Sequence, residues 1–348
     1  MLFDVPIEAI PERYSADWNV WFQHAYELER IEWVRIYPVP LSNEIKHGAF
    51  LDAIVTNHFK ARQLAMICEL FYKNKVKDGD AFLFHDMWFP GLEMLAYMRS
   101  MLDINFKIYG LLHAGTYDMY DRLAQKGMGS WGKFSEKSWM SLVDEIFVAT
   151  EFHKNLLIET RDINPQKIYV TGFPIYNPSV KSVLKENIVV FPHRLDLEKQ
   201  PHLFDFLQTQ LSFKYPDWKF IKTKDVCKSK EEYYKILAKS KIAVSFALQE
   251  TWGIAMQEAV ILNCIPVVPA RLSYMEMYDP IFQYDPNGTE DAIQEMINLV
   301  EYFILHYDQM QEQVNQLKKV FLHKGAKAIS IMLFLMQQYP SKGKEVRK

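Results

Sequence analysis

The sequence is poor in cysteine: Cys68, Cys227 and Cys264 are the whole complement of 348 residues. Three is odd, the spacings are wide, and none fits a metal-ligand pattern. That excludes a disulfide framework and points to a reducing compartment. No glycine precedes Gly48, so no glycine-rich loop follows the first candidate strand. No G-x-G-x-x-G follows any other, which argues against a dehydrogenase. Long apolar runs are also missing: near the end, Ala328 to Met336 is far too short to span a bilayer. The opening residues, Met-Leu-Phe-Asp-Val-Pro, have no basic stretch and no long apolar stretch. The expectation is a cytoplasmic chain without a membrane span. A large charge of one sign is absent too. The formal net charge of -3 argues against retention on nucleic acid by bulk charge, though not against a local basic groove.

What is present is ample core material. Hydrophobic residues make up 49% and aromatics 14% of the chain, enough to fill two domains and to leave rings for stacking on sugars or bases. Short β-rich runs alternate with longer helical patterns. In the first half the expected strands are Leu2–Val5, Glu32–Tyr37, Ala81–Phe84, Phe106–Leu112, Glu145–Ala149 and Lys167–Thr171. Helices are expected at Trp18–Glu29, His58–Tyr72, Gly91–Arg99 and Phe152–Glu159. Strand and helix in alternation imply a parallel sheet covered on both faces.

Gly172-Phe-Pro-Ile-Tyr-Asn-Pro178 breaks the pattern with turn residues. The alternation then restarts, with strands expected at Asn187–Phe191, Trp218–Ile221, Lys241–Phe246, Ile265–Val268 and Ile281–Tyr284, and helices at Lys199–Phe213 and Glu231–Lys239. From about Glu290 to Gln338 the chain reads as helix, and Ser341–Lys348 as a basic, frayed tail. The reading is a first domain over 1–172, a linker over 173–186 and a second domain over 187–322. Residues 323–348 form a C-terminal helix returning to the first domain, and the tail. Two doubly wound domains put a ligand crevice between the carboxyl ends of their sheets.

The most informative segment runs from Ala243 to Pro269 and reads as strand, loop, helix, strand. The loop carries Glu250. Gly253 lets the backbone approach a ligand closely. A helix starts there, its N–H groups and positive dipole end forming an anion site suited to a diphosphate. Glu258, in the second turn, can accept two hydrogen bonds from vicinal hydroxyls, as on a ribose. Glu250 and Glu258 with a glycine between them, followed by the Pro-bounded strand Ile265-Pro-Val-Val-Pro269, resemble the E-x7-E signature of glycosyltransferase family 4. The resemblance implies an α/β chain of GT-B architecture, two doubly wound Rossmann-like domains facing a central crevice, and a retaining reaction on a nucleotide-sugar donor. It implies that Glu250 contacts the transferred sugar and Glu258 the donor ribose. The backbone at Trp252, Gly253 and Ile254 would meet sugar and phosphate.

Upstream, Asn187-Ile-Val-Val-Phe-Pro-His193-Arg194 leads to Lys199 five residues on. This resembles the family's strand followed by an arginine and a lysine, with Pro192-His193 in place of the usual small residue. Arg194 would fork onto diphosphate oxygens and Lys199 would add a mobile charge. Together they would stabilise the leaving nucleoside diphosphate without a metal. The bland alternative is a surface helix start where Lys199 pairs with Glu198. Lys219 to Asp225, with Thr223, occupies the place where family members hold the nucleobase, largely by backbone.

The first half matches the family in architecture more than in motif. After the first strand stand Arg13, Tyr14, Ser15 and Asp17. Ser15 or Asp17 is expected as a helix N-cap, and Arg13 and Tyr14 as crevice residues. Two strand ends carry His85-Asp86-Met-Trp88 and His113-Ala-Gly115-Thr-Tyr117. By resemblance His113 is the candidate for the family's sugar-contacting histidine, with His85, Trp88 and Tyr117 as acceptor contacts. The glycine-rich segment Arg122 to Lys137 reads either as a mobile acceptor loop or as a plain connection. Pro269-Ala-Arg271-Leu-Ser-Tyr274-Met-Glu276-Met-Tyr278 resembles a stretch of transferases that mannosylate queuosine in transfer RNA. The whole chain is also similar to phage-encoded glycosyltransferases, some of which decorate hydroxymethylated DNA bases. The leading expectation is therefore a retaining glycosyltransferase acting on a hydroxymethylated base of DNA, in the host cytoplasm if phage-encoded. The alternatives are a saccharide or other small acceptor, or a silent nucleotide-sugar binder.

Overall fold

Runs of β-branched and aromatic residues form the strands of two parallel sheets in the computed structural model, which describes residues 1–11, 13–41, 52–181, 183–286 and 290–338. The basic tail lies outside the described residues. The chain divides into two units, Met1–Ala149 with His153–Pro174 and Lys327–Lys348, and Thr150–Phe152 with Ile175–Ala326.

The first unit holds strands β1 Leu2–Val5, β2 Trp33–Arg35, β3 Ala81–Phe84, β4 Lys107–Leu111, β5 Glu145–Val148 and β6 Ile168–Val170. Their order is β2-β1-β3-β4-β5-β6. The strands are hydrophobic on both faces because helices cover both, and Phe82, Leu83, Phe84, Ile108, Ile146 and Phe147 are wholly buried. Phe3 stacks on Phe82 with centroids 4.7 Å apart. Chain order reverses between β1 and β3, so the carboxyl ends of β1, β3 and β4 bound the switch point where such sheets take ligands.

The second unit holds β7 Glu186–Phe191, β8 Lys219–Lys222, β9 Ser240–Val244, β10 Ile265–Pro269 and β11 Gln283–Tyr284. Their order is β11-β10-β9-β7-β8. The switch point falls between β7 and β9, which pair in parallel through Val189↔Ile242 and Val190↔Ala243. The loops after these two strands carry the two motifs. Helix Ile254–Ile261, between β9 and β10, is buried on every side from Met256 onward.

All eleven expected strands are present, each with its ends within two residues of those expected. Three expectations change. The helix N-cap after β1 is Arg13, which makes no side-chain capping bond; Ser15 Oγ instead accepts from the Ile10 N–H at 3.4 Å. The segment 122–137 is not a loop. It forms helix Arg122–Gln125 and most of helix Gly129–Leu142. Its glycines serve that packing: a Cβ on Gly132 would lie 2.7 Å from the Thr116 methyl, and Gly127, at φ 77°, separates the two helices. The last helical stretch is broken by a 3-10 turn at Tyr307–Met310. Among the described residues one helix, Tyr307–Gln338, is long and apolar enough to cross a membrane by length and composition. Its Val314, Phe321, Ala328, Ile329, Met332 and Leu333 are buried in the fold.

Candidate functional site

The two motif loops of the second unit meet because β7 and β9 are neighbours. The Leu248 N–H donates to the Glu198 carbonyl at 2.7 Å, and the Gln200 amide donates to the Phe246 carbonyl at 2.6 Å. Gln200 takes a left-handed conformation, φ 51°, which ends the turn Leu197–Lys199 and starts helix Pro201–Leu211. Lys199 is thereby turned inward. Its Nζ donates to the Gln249 carbonyl and lies 3.3 Å from Glu250 Oε2.

Glu250 folds back over the turn that follows it. Its Oε1 accepts from the backbone N–H of Gly253 at 2.9 Å, of Thr251 at 3.2 Å and of Trp252 at 3.4 Å. These amides form the turn that leads into helix Ile254–Ile261, so a negative charge rests on a nest of backbone N–H groups next to the helix's positive end. Burial pushes the carboxyl up, but Lys199, then His193 and the Gly253 amide, prevail and hold it at about 2. Gly253 makes the turn possible: its φ is 64°, and a Cβ there would lie 3.3 Å from the Tyr274 ring. Ile254 is the first helical residue and stays partly exposed. Trp252 is 4% exposed, so its backbone rather than its indole is what the turn presents.

Arg194 is held by two carboxylates. Its Nε lies 2.6 Å from Asp196, and its guanidinium also binds Glu198. Burial disfavours its charge, but Glu198 and Asp196 hold it firmly protonated. The simple Lys199–Glu198 surface pair is thus not formed; Glu198 belongs to Arg194 and Lys199 to Glu250. Thr223 is wholly buried and its hydroxyl donates to the Phe191 carbonyl at 3.3 Å. Its side chain pins the loop after β8 to the end of β7.

Glu258 is held by two residues that the sequence reading missed. Tyr233 Oη donates to its Oε2 at 2.9 Å and Tyr234 Oη to its Oε1 at 2.7 Å. Consecutive tyrosines in helix Lys230–Lys239 give no motif, and only the fold brings them to this carboxylate. The stretch after β10 frames the same loop. Arg271 donates to the Phe246 and Ala247 carbonyls at 2.8 and 2.9 Å, and Ser273 Oγ to the Glu250 carbonyl at 3.3 Å.

In the first unit the residues sort into two groups. Tyr14 and His113 come together: Tyr14 Oη lies 3.3 Å from His113 Nδ1. His113 Nε2 lies 2.7 Å from the His85 carbonyl. A carbonyl only accepts, so Nε2 carries the proton and Nδ1 accepts from Tyr14. Trp18 and Phe173 pack on the same imidazole, centroids 5.1 and 4.9 Å away. Burial lowers the His113 pKa and outweighs the pull of Asp86, which keeps the ring neutral. Arg13 stands partly exposed at the head of the same helix.

The other group belongs to the core. The His85 ring is 1% exposed and its Nε2 lies 2.7 Å from Asp4 Oδ1; Tyr26 Oη donates to the same oxygen and Arg35 Nε to Oδ2, at 2.8 Å each. His85 serves through its carbonyl, not as an acceptor-contacting ring. Tyr117 is 6% exposed and its hydroxyl is 2.6 Å from His153 Nε2, so it too is structural. Trp88 donates its indole N–H to the buried Glu136 at 2.9 Å and is partly exposed. Strand-end position drew attention to all three, but side-chain direction, which alternates along a strand and its exit, decided otherwise.

Two Rossmann-like units, each with a parallel sheet, are the architecture of the GT-B fold. The solved structures that this chain resembles are glycosyltransferases of that fold. A UDP-forming α,α-trehalose-phosphate synthase from Burkholderia xenovorans superposes with a TM-score of 0.67 at 10% identity, over 98% of this chain and 99% of that one. A sucrose-phosphate synthase from Thermosynechococcus elongatus gives 0.66 at 10%, over 97% and 98%. TarM of S. aureus, in complex with UDP, gives 0.58 at 16%, over 80% and 59%. By sequence, a tRNA-queuosine alpha-mannosyltransferase of Drosophila melanogaster is 27% identical over 173 residues, 41% of this chain and 46% of the relative. The match thus spans about half of that relative's length. No protein-family model matches the chain.

Proposed function

We propose that the protein is a retaining glycosyltransferase that moves a sugar from a nucleoside-diphosphate sugar to a hydroxyl acceptor. The observation that carries this reading is the turn Glu250–Gly253. Its three amides and a helix N-terminus stand beside Lys199 and Arg194, two cations at the β7/β9 switch point. In this reading Lys199 and Arg194 stabilise the leaving diphosphate, the Gly253 turn approaches sugar and phosphate, and Glu258 holds the ribose. The UDP complex and the UDP-forming synthase named among the structural neighbours favour a UDP-sugar donor. The cation pair supplies the charge stabilisation, so transfer is expected to survive EDTA.

For the acceptor we infer a hydroxyl borne by a modified nucleobase. The support is the relative named for transfer RNA queuosine; a hydroxymethylated DNA base belongs to the same chemical class. Structural neighbours named as sugar-phosphate synthases favour a second reading, a saccharide acceptor. One experiment separates these. A panel of nucleotide sugars is tested by mass spectrometry for hydrolysis, then for transfer to transfer RNA, hydroxymethylated DNA, sugar phosphates and free sugars. Failure to consume any nucleotide sugar sinks the reading. Transfer to sugars alone replaces the acceptor.

A further inference from the structure

His193 stands at the carboxyl end of β7, next to Arg194. Its ring meets Phe191 edge-on with centroids 5.2 Å apart, and the residue is 4% exposed. Its Nε2 is buried with no hydrogen-bond partner. Such orphans are rare in folded proteins because the desolvated nitrogen gets nothing back. The surroundings are not inert: Lys199, Glu250 and Arg194 all act electrostatically on this ring. Burial first, then Lys199 and Arg194, push the imidazole down to about 3 against the pull of Glu250. The ring is therefore neutral in the physiological range, with one N–H and one lone pair to offer. A small residue at this place would leave no orphan. This chain keeps a polar nitrogen where the fold itself gives it nothing to bind.

We propose that His193 is a further donor-contacting residue, its Nε2 hydrogen-bonding a hydroxyl of the transferred sugar in the bound nucleotide sugar. The inference rests on the nucleotide-sugar reading of this site. A sugar hydroxyl both donates and accepts, so it satisfies Nε2 in either tautomer. A neutral group also adds a directed bond without a third positive charge beside Lys199 and Arg194, leaving release of the diphosphate unhindered.

The test uses the full chain and calorimetric binding of UDP-, GDP- and TDP-sugars, with thermal melting in parallel. His193→Leu removes the nitrogen at similar volume. It is expected to weaken binding of the preferred nucleotide sugar roughly 5- to 100-fold, while the melting temperature stays equal or rises, because a buried orphan has been removed. His193→Gln restores an amide near the Nε2 position and should recover most of the loss. Unchanged affinity in His193→Leu overturns the proposal. So does a His193→Leu protein that loses melting temperature together with affinity, or a His193→Gln protein as weak as the leucine variant. A wild-type chain that binds none of the panel overturns the nucleotide-sugar reading and this inference with it. Binding by wild type with an unimpaired leucine variant overturns only the role of His193.

Discussion

Lys199 and Glu250 face each other across the loops after β7 and β9, 3.3 Å apart, with side chains only 6% and 16% exposed. An ion pair so buried is costly to form and costly to break on one side. The surplus acceptor capacity of Glu250 is taken up by three backbone amides. The carboxylate is therefore fixed by its own turn as well as by the lysine.

That arrangement predicts an acid dependence. The Glu250 carboxyl falls from its ordinary 4.5 to about 2 in the fold. A depressed carboxyl contributes stability above its unfolded pKa, and the contribution is lost as pH falls toward the folded value. The wild type should therefore exceed Glu250→Gln in stability by about 3 kcal/mol near neutrality. The margin should shrink steadily between about pH 4.5 and 2. Parallel urea melts across that range measure it, and a margin indifferent to pH would refute the charge assignment.

Arg194→Ala with Lys199→Ala should abolish most transfer. Losing one preorganised donor to developing negative charge costs roughly 10²–10³ in rate, and the pair should cost more than either alone. The single variant Arg194→Ala also leaves Asp196 and Glu198 without their guanidinium, so its melting temperature should fall too. Near wild-type turnover in the double variant would remove both residues from the mechanism.

The strand pattern, the two motifs and their order were legible because each is local. Apolar runs bounded by turns mark β1 to β11, and the loop chemistry of Glu250-Thr-Trp-Gly253 is written in consecutive residues. What was not legible is who partners whom. Glu258 meets Tyr233 and Tyr234 from the preceding helix, and Arg194 takes Glu198 away from Lys199. His85 and Tyr117 look like site residues by position, yet turn into the core, where Asp4 and His153 bind them. Lys185, in a stretch that reads as linker, buries its ammonium against the Leu237, Ser240 and Leu262 carbonyls. Such pairings depend on sheet order and side-chain direction, which no local pattern records.

The two histidines of the first unit should separate cleanly. His85→Ala deprives the buried Asp4 of a partner and should destabilise the protein by about 3 kcal/mol, whatever it does to activity. His113→Ala should leave melting closer to wild type and lower turnover. Its imidazole is only partly enclosed and meets Tyr14 through Nδ1. Thermal melts beside turnover assays decide this. A His113 variant with full activity removes it from the site.

The last prediction concerns stereochemistry and the two glutamates. A glycosidase would set two carboxylates on opposite sides of the scissile bond. Here Glu250 accepts from the amides of the turn just before helix Ile254–Ile261, and Glu258, inside that helix, is gripped by two tyrosine hydroxyls. Both therefore lie on the same loop-and-helix segment, and on the proposed reading both would act on one substrate, the donor. Glu250 would position the sugar while its phosphate departs, and the acceptor would attack from the face that the phosphate leaves, with a phosphate oxygen helping to take the proton. Glu258→Ala should mainly raise KM for the donor, whereas Glu250→Ala should mainly lower kcat. Tyr233→Phe and Tyr234→Phe should mimic Glu258→Ala in a weaker form, each by about 10-fold or less, since they only release the carboxylate. Proton NMR of the product's anomeric coupling reads the outcome directly. Retained configuration with that KM and kcat split supports the assignment, and an inverted product would keep the fold while discarding the same-face mechanism.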